Sequence, residues 1–444
     1  MSTPTGTPRD NLRAIADAAL AAVAPGPALR AALDGPATQP THPLHILALG
    51  KAAHPMAATA VAVLRDRGIA PAGGVIIAPE LQPTPHPALR VAVGDHPIPG
   101  PGSRAASLAL GQAVRSVQRG DEVWVLLSGG ATSLAAAPID GISVEDFEWL
   151  FSHIVKSGLD IRAINRIRKR FARWGAGRLA VALGGASIRL FVVSDVVGDD
   201  LLSIGSGPCV PDPATAAEIR AELEATPLWA DLPPALRDHL AQVEAGKLPE
   251  TPKPEAPVFD AVTGVIVSGN RTAVLGAARQ AEALGFETVV NSKPLIGNAA
   301  AAGRKVAEWI LTRPSVAKHP DKRPWCMIWG GETTVELTGP HGHGGRCQEL
   351  ALAAAERLSA HGSRPGLRVL ALGTDGRDGP TDAAGGVVDG ETWGKIKAAG
   401  VDPAAALSGH DAYPALDAAG ALVKLGLTGT NVMDLVIAVE VGDG

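Results

Sequence analysis

Hydrophobic residues fall along the chain in two alternating rhythms. Short, nearly continuous apolar runs end in glycine, and longer Ala/Leu/Arg stretches repeat with the period of a helix. The runs predict strands at Leu44–Leu49, Gly74–Ala78, Glu122–Leu127, Arg189–Val193, Thr263–Val267, Glu287–Val290, Trp325–Trp329, Arg368–Leu372 and Leu435–Val439. The periodic stretches predict helices at Ser103–Val117, Ile164–Leu183, Ala214–Ala225, Arg271–Leu284, Ala299–Thr312 and Glu349–His361. Apolar strands alternating with amphipathic helices predict an α/β protein whose mostly parallel sheets are covered by helices on both faces. The Gly330–Gly331 pair inside Trp325–Leu337 reads as a bend or hairpin between two extended runs.

At 444 residues the chain exceeds one ordinary core, so two domains are expected. Leu248–Phe259, rich in Pro, Lys and Glu, reads as the linker, giving domains at 1–247 and 260–444. Arg313–Arg323 is a second polar break. Hydrophobic residues are 46% and charged residues 19%, a globular profile. The formal net charge of -5 argues against a nucleic-acid or anionic-membrane partner. The spacing of Cys209, Cys326 and Cys347 fits neither a zinc site nor a disulfide framework, so a cytoplasmic, reducing location is expected. Met1 to Arg9 lacks a signal pattern, and no apolar run approaches the roughly 20 residues of a membrane span.

Ligands of open α/β sheets sit beyond the carboxyl ends of the strands. After the first strand comes Gly50-Lys51-Ala52-Ala53. A lysine opening a helix opposes the helix dipole unless an anion binds nearby; a solvated surface lysine is the plain alternative. The stretch is not a Walker A loop, because position 45 is His and no Ser or Thr follows Lys51. Ser128-Gly129-Gly130-Ala131-Thr132-Ser133 is a candidate phosphate cradle, or a glycine turn with a capped helix. Asp195, Asp199 and Asp200 follow another strand, where carboxylates hold Mg²⁺, accept a proton or merely cap turns.

Later in the chain, Gly330-Gly331-Glu332-Thr333-Thr334 precedes a loop of four glycines around Arg346, suited to a mobile segment that delivers a guanidinium to phosphate. His341 and His343 on that loop read as exposed rather than metal-binding. The Gly- and Asp-rich stretch 373–385, with Asp375 and Asp378, is hard to explain as a plain turn. In Asn165–Arg170, Ile164, Ile167 and Phe171 share an apolar face, so the cations read as solvated, with Asn165 or Arg168 open to a substrate carboxylate. The nearest approach to G-x-G-x-x-G, at Gly175–Ala180, follows no strand, which argues against a dinucleotide enzyme.

Taken together, these stretches resemble the bacterial and animal glycerate 2-kinase family, whose C-terminal part is the MOFRL domain. The resemblance is carried by ALGKAA (48–53), LLSGGATSL (126–134), INRIRKRFARWGAGRLA (164–180), SDVVGDDLLSIGSGPCVPDPAT (194–215), GGETTVEL (330–337), GGRCQELALAAA (344–355), GTDGRDGPTDAAGGVVDG (373–390) and LTGTNVMDL (427–435). It implies two α/β domains with the active site in the cleft between them, the MOFRL region covering about 324–438. It implies transfer of phosphate from ATP, with Mg²⁺ or another divalent cation, to the 2-hydroxyl of D-glycerate. Lys51 and Arg346 match the family's essential lysine and arginine.

On this reading Lys51, Arg346 and Asp195 are catalytic. Gly50, Ser128, Gly129, Gly130, Thr132, Asn165, Arg168, Gly331, Thr333 and Asp378 bind substrate or nucleotide. Asp195, Glu332 and Asp375 hold the metal. The partners are small molecules, and a homodimer is compatible. Cys347, His410 and Met433 stand where the family carries Asn, and Leu427 where it carries Pro. The alternatives are a kinase for a related hydroxy acid, an NAD(P)H-dependent hydroxypyruvate reductase, or a metabolite-binding regulator.

Overall fold

The computed structural model describes residues 4, 6–34, 42–316, 323–337, 339–362 and 364–442. They form two compact units, 25–267 and a discontinuous one that joins the first 24 residues to 268–444. The boundary expected at 247–260 therefore lies further on, and helix α1 (Pro8–Ala22) belongs with the C-terminal half. Small residues explain the pairing. A Cβ on Gly276 would lie 2.5 Å from Cβ of Ala22, so α1 packs closely against the helix carrying Gly276.

Unit 25–267 contains helices α2 (Pro25–Leu33), α3 (Ala53–Asp66), α4 (Pro101–Ser116), α5 (Ala131–Leu134), α6 (Val144–His153), α7 (Ile161–Phe171), α8 (Arg178–Ala182), α9 (Ala216–Glu224), α10 (Leu228–Asp231) and α11 (Pro234–Glu244). Its sheet comprises β1 (Leu44–Leu49), β2 (Gly73–Ala78), β3 (Leu89–Val93), β4 (Glu122–Ser128), β5 (Ser187–Val193) and β6 (Val262–Ser268), in the order β3-β2-β1-β4-β5-β6. Its β1, β2, β3, β4 and β5 pair in parallel. All six residues of β1 are buried, as a strand covered on both faces requires. The strand order reverses between β1 and β4, which makes their carboxyl ends the switch point where ligands of such sheets bind.

The stretch predicted as one helix over Ile164–Leu183 is two, α7 and α8. Ala172 is extended, and Ala176 and Gly177 take positive φ between them. The cations of α7 are not a solvated face. Lys169 and Arg170 are buried, Lys169 pairing with Asp212 at 2.9 Å and Arg170 with Glu250. Arg178 donates to the carbonyls of Lys169, Arg170 and Ala172. The Pro/Lys/Glu stretch read as a linker is part of this lock: Lys253 Nζ donates to the carbonyls of Asp212 and Ala214.

The other unit adds β7 (Glu287–Val290), β8 (Leu295–Asn298), β9 (Trp325–Thr334), β10 (Leu367–Gly373), β11 (Gly385–Val388), β12 (Leu422–Val423) and β13 (Asp434–Glu440). Its helices are α12 (Asn270–Ala283), α13 (Ala299–Leu311), α14 (Arg346–His361), α15 (Thr392–Ala398), α16 (Pro403–Ser408) and α17 (Ala412–Ala418). The sheet runs β12-β11-β10-β13-β9-β7, with β8 also on β9. It is mixed, not mostly parallel as expected. Only β7 and β8 pair parallel with β9, and the other pairings are antiparallel. Strands buried on both faces read as apolar runs whatever their direction, so the pattern could not distinguish the two. The polar break before β9 lies partly outside the described residues.

The hairpin predicted at Gly330–Gly331 is absent, since β9 runs straight through. The glycines mark a change of neighbour, β7 lying beside Trp325–Ile328 and β8 beside Gly331–Thr334. Gly331, at φ +145°, leaves no room for a side chain, since a Cβ there would lie 2.2 Å from the Leu295 carbonyl oxygen. No single described helix is long and apolar enough to cross a membrane.

Candidate active site

At the switch point β1 ends in Gly50, whose φ of +120° turns the chain against the end of β4. Ser128 binds that turn together: its hydroxyl accepts from the Ala52 amide at 3.0 Å and donates to the Leu49 carbonyl. The Lys51 amide donates to the Gly129 carbonyl at 2.9 Å. Ser128 is therefore buried and engaged in the scaffold rather than part of an open cradle, and Gly50 spends its amide on Ile77.

The surface of the site is made by the next residues. A Cβ on Gly129 would lie 1.9 Å from Oδ2 of Asp195. One on Gly130 would lie 3.0 Å from the His96 ring and 3.4 Å from Cγ of Lys51. The two glycines thus let Lys51, His96 and Asp195 gather round one turn. Burial pushes the Asp195 carboxyl up, against its own backbone hydrogen bond and the Lys51 charge, which pull it down. Partial burial, then the Lys51 charge, holds the His96 imidazolium below its usual range. Among the described residues no carboxylate lies within ion-pair distance of Lys51. The Thr132 hydroxyl bonds that of Ser206 at 2.8 Å, and Ser206 sits at φ +66° between Gly205 and Gly207, also left-handed.

Asn165 and Arg168 do not join this cluster on the contacts they make. Arg168 donates to the Phe151 carbonyl and lies 4.8 Å over the Phe151 ring, bracing α6. Asn165 is half-buried on α7.

The second unit builds a different feature around Arg346, the first residue of α14. Its Nε and one terminal nitrogen fork onto Asp434 at 2.6 and 2.9 Å, and the other reaches Glu332 at 3.1 Å. Burial opposes the guanidinium charge, but the Asp434 hydrogen bonds and the charges of Asp434 and Glu332 outweigh it and raise its pKa. The Asp434 carboxyl is itself pushed up by burial. The loop before Arg346 is tied down, contrary to the mobile segment expected. Asp411 accepts from the His343 amide at 2.6 Å, and the Gly342 amide donates to the Gly409 carbonyl.

Asp378, expected to bind substrate or nucleotide, caps α14, accepting from the amides of Cys347 at 3.1 Å and Gln348 at 2.7 Å. Burial raises its pKa to about 6. Gly331 serves strand packing, and Thr333 is buried with no partner for its hydroxyl among the described residues. Asp375 accepts from the Arg377 amide at 3.1 Å, and its charge is felt at Asp434. Among the described residues no three His, Cys, Asp or Glu side chains are grouped to hold a metal. The expected set of Asp195, Glu332 and Asp375 does not make a cage. Glu332 is paired with Arg346.

Two important residues escaped the sequence reading. His96 follows β3, a half-exposed strand hidden among prolines, and Asp434 lies inside the LTGTNVMDL stretch, where its residue type alone gives no signal. Recognising β3 would have exposed His96 by the strand-end rule.

Residues 11–241 match a domain of unknown function, DUF4147, and residues 325–434 match the MOFRL family. A glycerate 2-kinase of Pyrococcus horikoshii is 35% identical, over 89% of this chain and 87% of its own. A D-glycerate 2-kinase of Thermotoga maritima is 36% identical, over 89% and 90%. The crystal structure of a glycerate kinase from Thermotoga maritima superposes with a TM-score of 0.82 at 34% identity, covering 96% of this chain and 98% of the other. With its DUF4147 and MOFRL regions in order and both glycine-framed cations in place, the chain belongs to the glycerate kinase family.

Proposed function

We propose that the chain transfers the γ-phosphoryl group of ATP to the 2-hydroxyl of D-glycerate, giving 2-phosphoglycerate and ADP in the cytoplasm. One observation carries most of the reading. Lys51 stands at the strand-order reversal, beside a double-glycine turn, with no carboxylate in ion-pair reach among the described residues. A lysine with no ion-pair partner among the described residues, beside a glycine turn at a switch point, suits an anion. Glycerate and ATP are both anions, and the relatives' names supply the chemistry that joins them.

Phosphoryl transfer asks a protein for positioning and charge neutralisation more than for covalent chemistry. Lys51 would meet the glycerate carboxylate or the transferred group, with the turn at Gly129, Gly130 and Thr132 beside it. Arg346 is the natural phosphate fork of the second unit. Asp434 holds its Nε side, and a phosphate oxygen competes with Glu332 for the other. A divalent cation would arrive on the ATP phosphates, since Mg²⁺ is commonly held by substrate oxygens with few protein ligands. No protein ligand is assigned to it.

The test is ADP release from ATP, Mg²⁺ and D-glycerate, with phosphorus NMR of the product. A 2-phosphoglycerate signal is expected, together with loss of turnover in Lys51→Ala and Arg346→Ala. Full turnover in both variants would sink the scheme. Oxidation of NADH by hydroxypyruvate would favour the reductase instead.

A further inference from the structure

His96 lies on the loop from β3 to α4, and that loop is fixed on both sides of it. Before it, the Gly94 amide donates to the Ala78 carbonyl, the Asp95 amide to the Ser103 hydroxyl at 3.0 Å, and the Ser103 amide to Asp95 Oδ2 at 3.1 Å. After it, the Ser133 hydroxyl of the double-glycine loop donates to the Pro97 carbonyl at 2.9 Å. The ring is thereby presented at Gly130, where a Cβ would lie 3.2 Å from Nε2 and 3.4 Å from Cγ of Lys51. Among the described residues neither ring nitrogen has a hydrogen-bond partner, and the ring is open to solvent. A backbone so constrained, carrying an imidazole so uncommitted beside the anion-binding lysine, is built to meet a ligand.

We propose that His96 is a catalytic residue of this reaction, contacting the acceptor hydroxyl of the hydroxy acid and taking its proton. The inference rests on the kinase reading. As the hydroxyl oxygen bonds to the γ-phosphorus, its O–H bond breaks and the proton passes to a ring nitrogen of His96. The bond from phosphorus to the bridging oxygen breaks, and ADP leaves with that electron pair. The imidazolium then returns its proton to solvent along its exposed edge.

The charged groups around the ring suit this part. Partial burial, and then the charge of Lys51 facing it from the turn after β1, lower its pKa and so favour the neutral form that can accept a proton. Asp195, behind Gly129, supplies a balancing negative charge when ionised. Asp95, on the same loop, is engaged by Ser103. The role read from sequence for Asp195 therefore passes to His96, and Asp195 becomes an electrostatic support.

The experiment compares wild type, His96→Gln and Asp195→Asn across pH with ATP, Mg²⁺ and D-glycerate. His96→Gln keeps a hydrogen-bonding side chain but cannot take the proton. It is expected to lower kcat roughly 100-fold, leave KM for ATP within about twofold, and abolish the acid limb of kcat/KM. Carbon-13 histidine NMR should find the His96 signal titrating below the usual range in wild type and rising in Lys51→Met, a readout independent of turnover. Near-normal kcat or a persistent acid limb in His96→Gln, with wild type active, would overturn the assignment and leave the kinase reading intact. No ADP from wild type with D-glycerate would overturn the kinase reading and this step together.

Discussion

Asp434→Asn isolates the anchor of Arg346. The native carboxylate is nearly buried, with 8% of its side chain exposed, and accepts two short bonds from a guanidinium that is 35% exposed. Removing one partner of a fully buried pair costs about 3–5 kcal/mol. Here Arg346 keeps some solvent and keeps Glu332 at 3.1 Å, so the loss falls nearer that of one charge-assisted hydrogen bond, about 2 kcal/mol. The bond from Asn270 to the Asp434 main-chain oxygen survives, so β13 should stay paired and open more often. At about 1.4 kcal/mol per decade, amide exchange along β13 should speed up roughly 30-fold. Turnover should fall at least about tenfold as the fork loses its aim. Glu332→Gln, breaking a pair more than a third exposed on both sides, should cost under about 1 kcal/mol. Native-state hydrogen exchange of both variants decides the matter. If β13 in Asp434→Asn exchanges within twofold of wild type, or the two variants behave alike, Asp434 does not anchor Arg346.

Lys169→Met leaves Asp212 buried without its partner and should destabilise the 25–267 unit by about 3–5 kcal/mol in urea, with Asp212→Leu in the same chain recovering much of the loss. Asp378 titrates near 6 in the fold against an ordinary 3.8, so the folded state holds the extra proton between those values. The stability this contributes is complete below about pH 4 and lost as pH rises through about 6. Protection of the Cys347 and Gln348 amides, corrected for intrinsic rates, should decline over that window in wild type and stay flat in Asp378→Asn. Ser206→Gly relieves a left-handed side chain while losing the bond to Thr132, two effects of about 1 kcal/mol that nearly cancel. Ser206→Ala keeps the strain and loses the bond, so its urea midpoint should be the lower of the two.

Much of the scaffold was legible because burial on both faces writes strands as apolar runs ending in glycine. The strands β1, β4 and β7 emerged with almost the observed limits. What pattern does not encode is pairing. The direction of the second sheet, the run of β9 through its glycines and the placement of α1 all depend on segments remote in sequence. The same holds for charge. Lys169 and Arg170 looked solvated because Asp212 and Glu250 lie far along the chain. Of the candidate site, Lys51, Arg346 and the Gly129–Gly130 turn were visible as residue types at strand and helix ends. Ser128 and Asp378 had the right chemistry but spend it on the scaffold.

Two departures from the family pattern also acquire a physical reading. His410 and Met433 both take positive φ, a conformation Asn tolerates well, so the expected Asn at each matches a backbone requirement. His410 then adds a contact with Glu349 at 2.8 Å. Leu427 is exposed, and nothing in the structure explains its replacement of Pro.

The pairing of α1 with α12 has a consequence for the order of synthesis. The helix leaves the ribosome before the whole of 25–267, yet its packing surface is made only afterwards. The 25–267 unit is in effect an insertion that can close while α1 waits with Leu12, Ile15 and Ala19 uncovered. Completion of the last unit therefore depends on a segment translated first. Deleting it should leave the neighbouring unit intact and loosen the distant end of the chain.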